Sequence, residues 1–335
     1  MNHIKRIEDL LAGKKLDSPS MNLWKHFPPY DEEADQLIKK TIQFQERFDW
    51  DFVKVTYQGL YSLQDWGSKI KWPERDSKWP DTCSTVGIVT EPSIKRPEDW
   101  EKLSVKTMNE KSWANTVAAA KGVYEHYKGK APVVVTVFNP PTTAAKMSGD
   151  KFVLHMRENP GAVKKGLDVI SDTTQLFIEE LIKIGVDGIF LATQLGTYDK
   201  TTEEEYDFIG TPYDMRIIER VNQKMWFNIM HIHGNDPMFE KLSKYPMQAI
   251  NWHDRLVKNY DIKTGRKLCP GRLLIGGIDE FGVLKNGTST ELKKHIVDAL
   301  EQSGDGNIIL GPGCCVPLDV SEDRVESAKK ALSDL

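Results

Sequence analysis

Short apolar runs alternate with stretches of helical spacing along this 335-residue chain, and that alternation narrows the choice of folds before any single residue is weighed. Eight runs read as strands: residues 21–26, 51–57, 132–138, 187–193, 226–233, 247–252, 272–278 and 307–310. The run at 132–138 is almost continuously apolar, as a parallel strand covered on both faces should be. Between the runs, apolar residues recur at helical spacing. In one such stretch Asn159-Pro160 supplies a cap and first-turn proline, Val163, Leu167, Ile170, Phe177, Leu181 and Ile184 mark a buried face, and Gly185 ends the helix. Further helices are expected at 4–11, 31–48, 109–127, 213–223, 239–243 and 291–301, with a closing one from Glu322 and an acidic loop around Glu203 to Glu205. Eight strands alternating with helices predict an α/β fold, a (β/α)8 TIM barrel with an N-terminal helix. The length suits such a barrel with an insertion. Residues 59–130, rich in Trp, Pro, Ser and charge, interrupt the rhythm after the second strand and are read as an excursion over the barrel mouth. No repeat or low-complexity linker argues for a second domain, so 1–335 is read as one domain.

The fifth run ends in His231-Ile-His233, followed by the turn signal Gly234-Asn235-Asp236-Pro237. On a strand, i and i+2 point to one face, so the two imidazoles can share a ligand. An isolated pair of this kind is more often hydrogen-bonded within a core. Its position matters here, because parallel α/β barrels place their chemistry at the carboxyl ends of strands. The other strand ends offer His26, Tyr57, Asn139, Gln194, Asn251 with His253 and Asp254, Asp279, and the turn Gly311-Pro-Gly-Cys-Cys315. Cys314 taken alone is a small buried hydrophobe. Set across a barrel mouth from His231 and His233, it completes a three-ligand zinc site with a fourth position open. His253 and Asp254 offer a general acid/base or a carboxylate supporting a metal ligand, or else ordinary polar groups at a strand end.

Charge excludes some functions. A formal net charge of -4 with 28% charged residues shows no basic bias toward nucleic acid or a membrane surface. No stretch approaches a membrane span and the N-terminus lacks an apolar signal core, which predicts a cytoplasmic protein. Four cysteines (Cys83, Cys269, Cys314 and Cys315) are too few and scattered for a disulfide framework. There is no phosphate loop, GxSxG elbow or CxxC pair. His-x-His also opens barrel metallohydrolases, but on their first strand. Trp66, Trp72 and Trp79 of the excursion could cover a flat cofactor, though aromatic packing on the barrel is the simpler role.

In these residues the chain resembles the uroporphyrinogen decarboxylase superfamily, particularly its corrinoid-dependent methyltransferase branch. The likeness rests on Lys183-Ile-Gly-Val-Asp-Gly188, His231-Ile-His-Gly-Asn235, Gly276-Gly-Ile-Asp279 and Gly311-Pro-Gly-Cys314 with Val316-Pro317, in that order. The resemblance implies a barrel, zinc, and a methyl group moved between a corrinoid such as methylcobalamin, carried on a partner protein, and a thiol or methylated small molecule. It implies zinc ligands at His231, His233 and Cys314, with His233 standing where the family has Cys. A neutral imidazole there leaves the metal more electrophilic and a bound thiolate less nucleophilic. From their places at the strand ends, His253, Asp254 and Asp279 are read as catalytic groups and His26, Tyr57, Asn139, Gln194 and Asn251 as binding groups, while the decarboxylase resemblance suggests a homodimer. The decarboxylase branch holds substrate carboxylates with an N-terminal arginine motif and an aspartate after the second strand; Trp24-Lys-His-Phe-Pro-Pro-Tyr30 and Thr56-Tyr57-Gln58 have neither. A decarboxylase acting on another substrate, or a non-catalytic barrel that binds a ligand or corrinoid protein, are the alternatives.

Overall fold

The computed structural model describes residues 2–73, 86–304 and 306–335; Trp79 and Cys83 lie outside them. Eight parallel strands form one curled sheet: β1 (Ser20–Met21), β2 (Val53–Val55), β3 (Val133–Phe138), β4 (Gly188–Thr193), β5 (Ile229–Ile232), β6 (Ala249–Trp252), β7 (Leu273–Ile278) and β8 (Ile308–Pro312). Sequence neighbours pair from β2 through β8, and β8 pairs with β1. The strands β1 and β2 meet through side chains: Asn22 Oδ1 accepts from Phe52 N at 2.9 Å, and Ser20 Oγ donates to Asp51. Helices wrap the outside, giving the (β/α)8 barrel. Every residue of these eight strands is buried, which explains why the runs read as continuous apolar sequence.

Two apolar layers follow from the alternation of side chains along each strand. One lies between sheet and helices. The other fills the barrel, with Trp24, Phe52, Val134, Phe190, Phe227, Ile229 and Ile275 among its members, and Ile7 and Leu10 of the N-terminal helix (His3–Leu11) join it as a plug. At Gly188 a Cβ would lie 1.7 Å from the Phe227 carbonyl oxygen, so only glycine lets β4 start so close to the chain entering β5.

Polar groups latch the plug. His3 bonds Asp49 at 2.9 Å and Asp51 at 3.3 Å, and Arg6 Nε donates to Asp51 at 2.7 Å. The hydrogen bond with Asp51 raises the His3 pKa against the opposing effect of burial. Burial pushes Asp51 up, but hydrogen bonds from His3, Arg6 and Ser20 outweigh it and hold that carboxyl below its usual range. A raised His3 stabilises the fold fully below its unfolded pKa and loses that contribution as pH rises through the folded value. A depressed Asp51 does the reverse, stabilising above its unfolded pKa and failing as pH falls through the folded one. His3→Gln should therefore cost about 1 kcal/mol near pH ~6, shrinking at alkaline pH, as measured by denaturant unfolding across pH.

The helices fall close to their expected places; Pro160–Ile184 matches at both ends. Several stretches differ. Regular pairing of the first strand covers only Ser20–Met21; Asn22 N still donates to Leu310 O, and the chain next meets the segment after β8 at the Lys25–Val316 bridge. The acidic loop is a helix, Glu203–Ile209, started by a reciprocal cap in which Thr202 Oγ1 accepts from Glu205 N and Glu205 accepts from Thr202 N. Short helices Pro140–Ser148 and Ile262–Leu268 stand where no helix is expected. Within the excursion, Lys111–Tyr127 is a barrel helix packed on Ala34–Phe48 and Pro160–Ile184. The remainder carries an antiparallel ribbon, Lys69–Lys71 with Ile88–Glu91. Trp66 packs edge-on against Trp113 and donates to Ser104 O. Among the described residues no helix is long and apolar enough to cross a membrane.

Candidate metal centre

The strand pairing builds the site. His231 on β5 lies opposite Asn251 on β6, so the next inward pair along the two chains is His233 and His253. Cys314 arrives from the turn after β8. Donor atoms of His231, His233, His253 and Cys314 all lie within 4.8 Å of one another. His233 Nδ1 is 3.3 Å from His231 Nε2 and 3.2 Å from His253 Nε2. One ring nitrogen carries at most one proton and cannot bond both neighbours well in every tautomer. With Zn–N of about 2.0–2.1 Å, a tetrahedral zinc site has N···N edges of roughly 3.3 Å. These spacings and the His/Cys donor chemistry therefore fit zinc.

Around the donors, hydrogen bonds set orientation. Asn251 Nδ2 donates to the carbonyl oxygens of Ile275 and Pro312, both at 3.0 Å, which commits its Oδ1 as the acceptor facing His231 Nδ1 at 2.6 Å. The proton of His231 is thus on Nδ1 and its Nε2 lone pair points into the donor group. Burial pushes the His231 pKa down to about 4, keeping the ring neutral. Phe190 stacks on its face with centroids 4.9 Å apart. The Cys314 thiol is pushed up by its hydrogen bond with Cys315 and by burial, yet bonds with His231 and His233 bring it down to about 7. Its neighbour Cys315 is outside the donor group and feels the charge of Lys54.

Glu280 is the residue that sequence reasoning missed. It is 3% exposed, accepts from Gly313 N at 3.1 Å and Cys314 N at 2.9 Å, and places Oε1 3.6 Å from His253 Nδ1. It therefore clasps the Cys314 turn and faces the third histidine together. Its only signal in the sequence is a second carboxylate beside Asp279 at a strand end. Gly313 is equally constrained, since a Cβ there would meet His253 Nδ1 at 2.7 Å.

The other candidates are dispersed. His253, expected beside Asp254 as an acid/base pair, belongs to the donor group. Asp254 turns the other way and accepts from Gly277 N at 2.8 Å, with burial pushing its pKa up to about 7. Asp279 accepts from Gly282 N and shapes the loop after β7. Asn139, fully buried, caps Pro140–Ser148 and donates to Asp214 at 2.7 Å in the helical layer. Tyr57 donates to Thr116 O at 2.9 Å. Gln194 accepts at its carbonyl from Lys200, and His26 stands 3.6 Å from Asp31.

Fold and site together define a class: (β/α)8 barrels whose mouth carries a His/Cys donor group able to hold a metal ion. The chain belongs to the uroporphyrinogen decarboxylase (URO-D) family, whose sequence model matches residues 21–334. Curated relatives include the methylcobamide:CoM methyltransferase MtbA of Methanosarcina acetivorans, 25% identical over 244 residues, which are 70% of this chain and 69% of the relative. The MtbA of Methanosarcina mazei is 24% identical over 243 residues, 71% and 69% of the two chains. Among solved structures, a methyltransferase from Methanosarcina mazei superposes with a TM-score of 0.83 at 17% identity, covering 100% of this chain and 99% of that one. A B12-independent methionine synthase from Shewanella sp. W3-18-1 gives 0.58 at 16% identity, over 95% and 94%. The structural likenesses establish the fold. The relatives support an enzyme of methyl transfer.

Proposed function

We propose that this protein is a zinc-dependent methyltransferase that moves a methyl group between a corrinoid, carried on a separate protein, and a small thiol. The observation that carries the reading is the convergence of His231, His233, His253 and Cys314 at the barrel mouth of a chain whose curated relatives are methylcobamide:CoM methyltransferases. Zinc, held by three of these four side chains with one position left open, would supply a cation beside which a thiol exists as its nucleophilic thiolate at neutral pH. Asn251 fixes the His231 lone pair toward the metal, and Glu280 holds both the Cys314 turn and the His253 ring in place. Lys54 is buried in the barrel, bonded to Thr56 Oγ1 at 3.2 Å and Thr136 Oγ1 at 3.0 Å; burial lowers its own pKa, and its charge favours the thiolate of Cys315. The apolar floor formed by Phe190 and Trp24 keeps water from beneath the donors. Residues 1–335 serve as one barrel for this purpose. A porphyrinogen polycarboxylate would need cationic forks, and the stretch from Trp24 to Tyr30 offers no arginine.

Mixing the zinc-loaded protein with methylcobalamin and a panel of thiols tests the reading. The methyl group passes to sulfur, the cobalt–carbon electron pair stays on cobalt, and the methylcobalamin absorbance is replaced by that of the cobalt(I) form. An unchanged spectrum with every thiol, zinc being bound, overturns the assignment in favour of a non-catalytic ligand-binding barrel.

A further inference from the structure

Cys315 stands next to a metal donor without being one. The donor group takes Cys314 alone, and Cys315 packs against the apolar layer that fills the barrel. Alanine or valine would serve that packing as well, without the reactivity of a thiol. Both cysteines are free and half-buried, whereas Cys269 is buried in the core. The pair is therefore within reach of small solutes at the barrel mouth.

The backbone around the pair is held on both sides and free between. Gly313 N and Cys314 N donate to Glu280 at 3.1 and 2.9 Å, and Val316 N donates to Trp24 O at 2.8 Å. Among the described residues neither the Cys314 carbonyl nor the Cys315 N–H takes part in a hydrogen bond. The peptide that links the two cysteines can thus turn without breaking one. That freedom matters because the Cα atoms of neighbours lie ~3.8 Å apart across a trans peptide, short of the ~4.4–6.8 Å usual for a disulfide. Bridging them strains the link, and a strained disulfide is easily reduced again. Such a bond is unsuited to holding a fold together and suited to being made and broken.

We propose that Cys314 and Cys315 form a reversible disulfide with each other, Cys315 acting as the resolving thiol, and that hydroperoxides thereby withdraw the sulfur donor from the metal centre. The Cys314 sulfur attacks the peroxide; the O–O bond breaks, one oxygen stays on sulfur as a sulfenic acid, and the other leaves as water or an alcohol. Cys315 then attacks the sulfenic sulfur, the S–O bond breaks, and water leaves as the S–S bond forms. The two sulfurs give up two electrons, which the peroxide takes. Small thiols reverse the step through a mixed disulfide. Without Cys315, the sulfenic acid is open to further oxidation to sulfinic acid, which thiols do not restore. Loss of the metal rests on the zinc reading given above; the disulfide rests on the cysteine pair alone.

Peptide mass mapping of the full chain separates the two claims. Zinc-free protein, reduced and then freed of reductant, is treated with one equivalent of hydrogen peroxide and alkylated. The peptide holding both cysteines should escape alkylation and be lighter by two hydrogen atoms, and dithiothreitol should restore both thiols. Zinc-loaded protein should release its metal in step with that change, from about one equivalent per chain to near none, and rebind it after dithiothreitol. Cys315→Ala and Cys315→Ser should bind zinc as the wild type does before oxidation. After peroxide most of their zinc binding should stay lost, with Cys314 recovered as sulfinic acid. Alkylation of both cysteines in the oxidised wild type, a disulfide mapped to Cys83 or Cys269, or recovery of the Cys315 variants by dithiothreitol equal to that of the wild type overturns the proposal. A Cys314–Cys315 disulfide that leaves zinc bound upholds the pair and overturns the ligation of zinc by Cys314 instead.

Discussion

His231→Ala and Cys314→Ser are each expected to reduce zinc from about one equivalent per chain to near none after dialysis, and methyl transfer with it by ~10³-fold or more. The expectation follows from geometry. His231 Nε2 is delivered by a ring whose other nitrogen is already committed to Asn251, so no other residue can replace it without rebuilding β5 and β6. Cys314 is the sole thiol in the donor group and the one anionic donor at neutral pH; a serine hydroxyl keeps its proton there and is a poor zinc ligand. Elemental analysis of the purified variants, with methylcobalamin turnover measured on the same samples, checks both parts. Full activity in a metal-free preparation would sink the mechanism, and a zinc-replete Cys314→Ser variant would remove Cys314 from the donor set.

Asn251→Leu should do comparable damage by a different route. Leucine matches the volume but leaves the His231 Nδ1 proton and the carbonyl oxygens of Ile275 and Pro312 without their partner in a fully buried place. A buried polar group stranded in this way costs about 1–3 kcal/mol, so the fold should lose roughly 3 kcal/mol or more. With His231 free to take its other tautomer, zinc affinity should drop ~10–100-fold. Asn251→Asp divides the two effects, since it keeps an acceptor for His231 and loses the donors to both carbonyls. Zinc affinity should recover in that variant more than stability does. Competition with a zinc indicator and denaturant melts measure the two separately; equal zinc affinity in Asn251→Leu and the wild type would show that Asn251 does not orient the ligand.

Much of the architecture is legible in the chain because its strands are covered on both faces, so β3, β4 and β7 appear as apolar runs that no amphipathic helix would show. Pro160–Ile184 is readable to the residue because proline and glycine punctuate it. The helix Glu203–Ile209 was hidden by its own acidity, although Thr202 with Glu205 spells a cap. Pro140–Ser148 begins with two prolines, which read as a break rather than as a first turn. Glu280 escapes notice for a plain reason. Charged residues in loops are ordinary in a sequence, and only burial or the company they keep makes them unusual.

By itself the sequence determines the alternating fold, and with it the facts that His231 and His233 share a face and that both they and Cys314 stand at strand ends. Only the tertiary structure decides which strand-end residues look inward. Asn139 and Tyr57 end their strands as plausibly as His253 does, yet they turn into the helical layer while His253 joins the donors. The period of two along a strand is local and can be read from sequence. Its phase is set by the register of β5 against β6, where His231 meets Asn251, and that register is a property of the closed barrel.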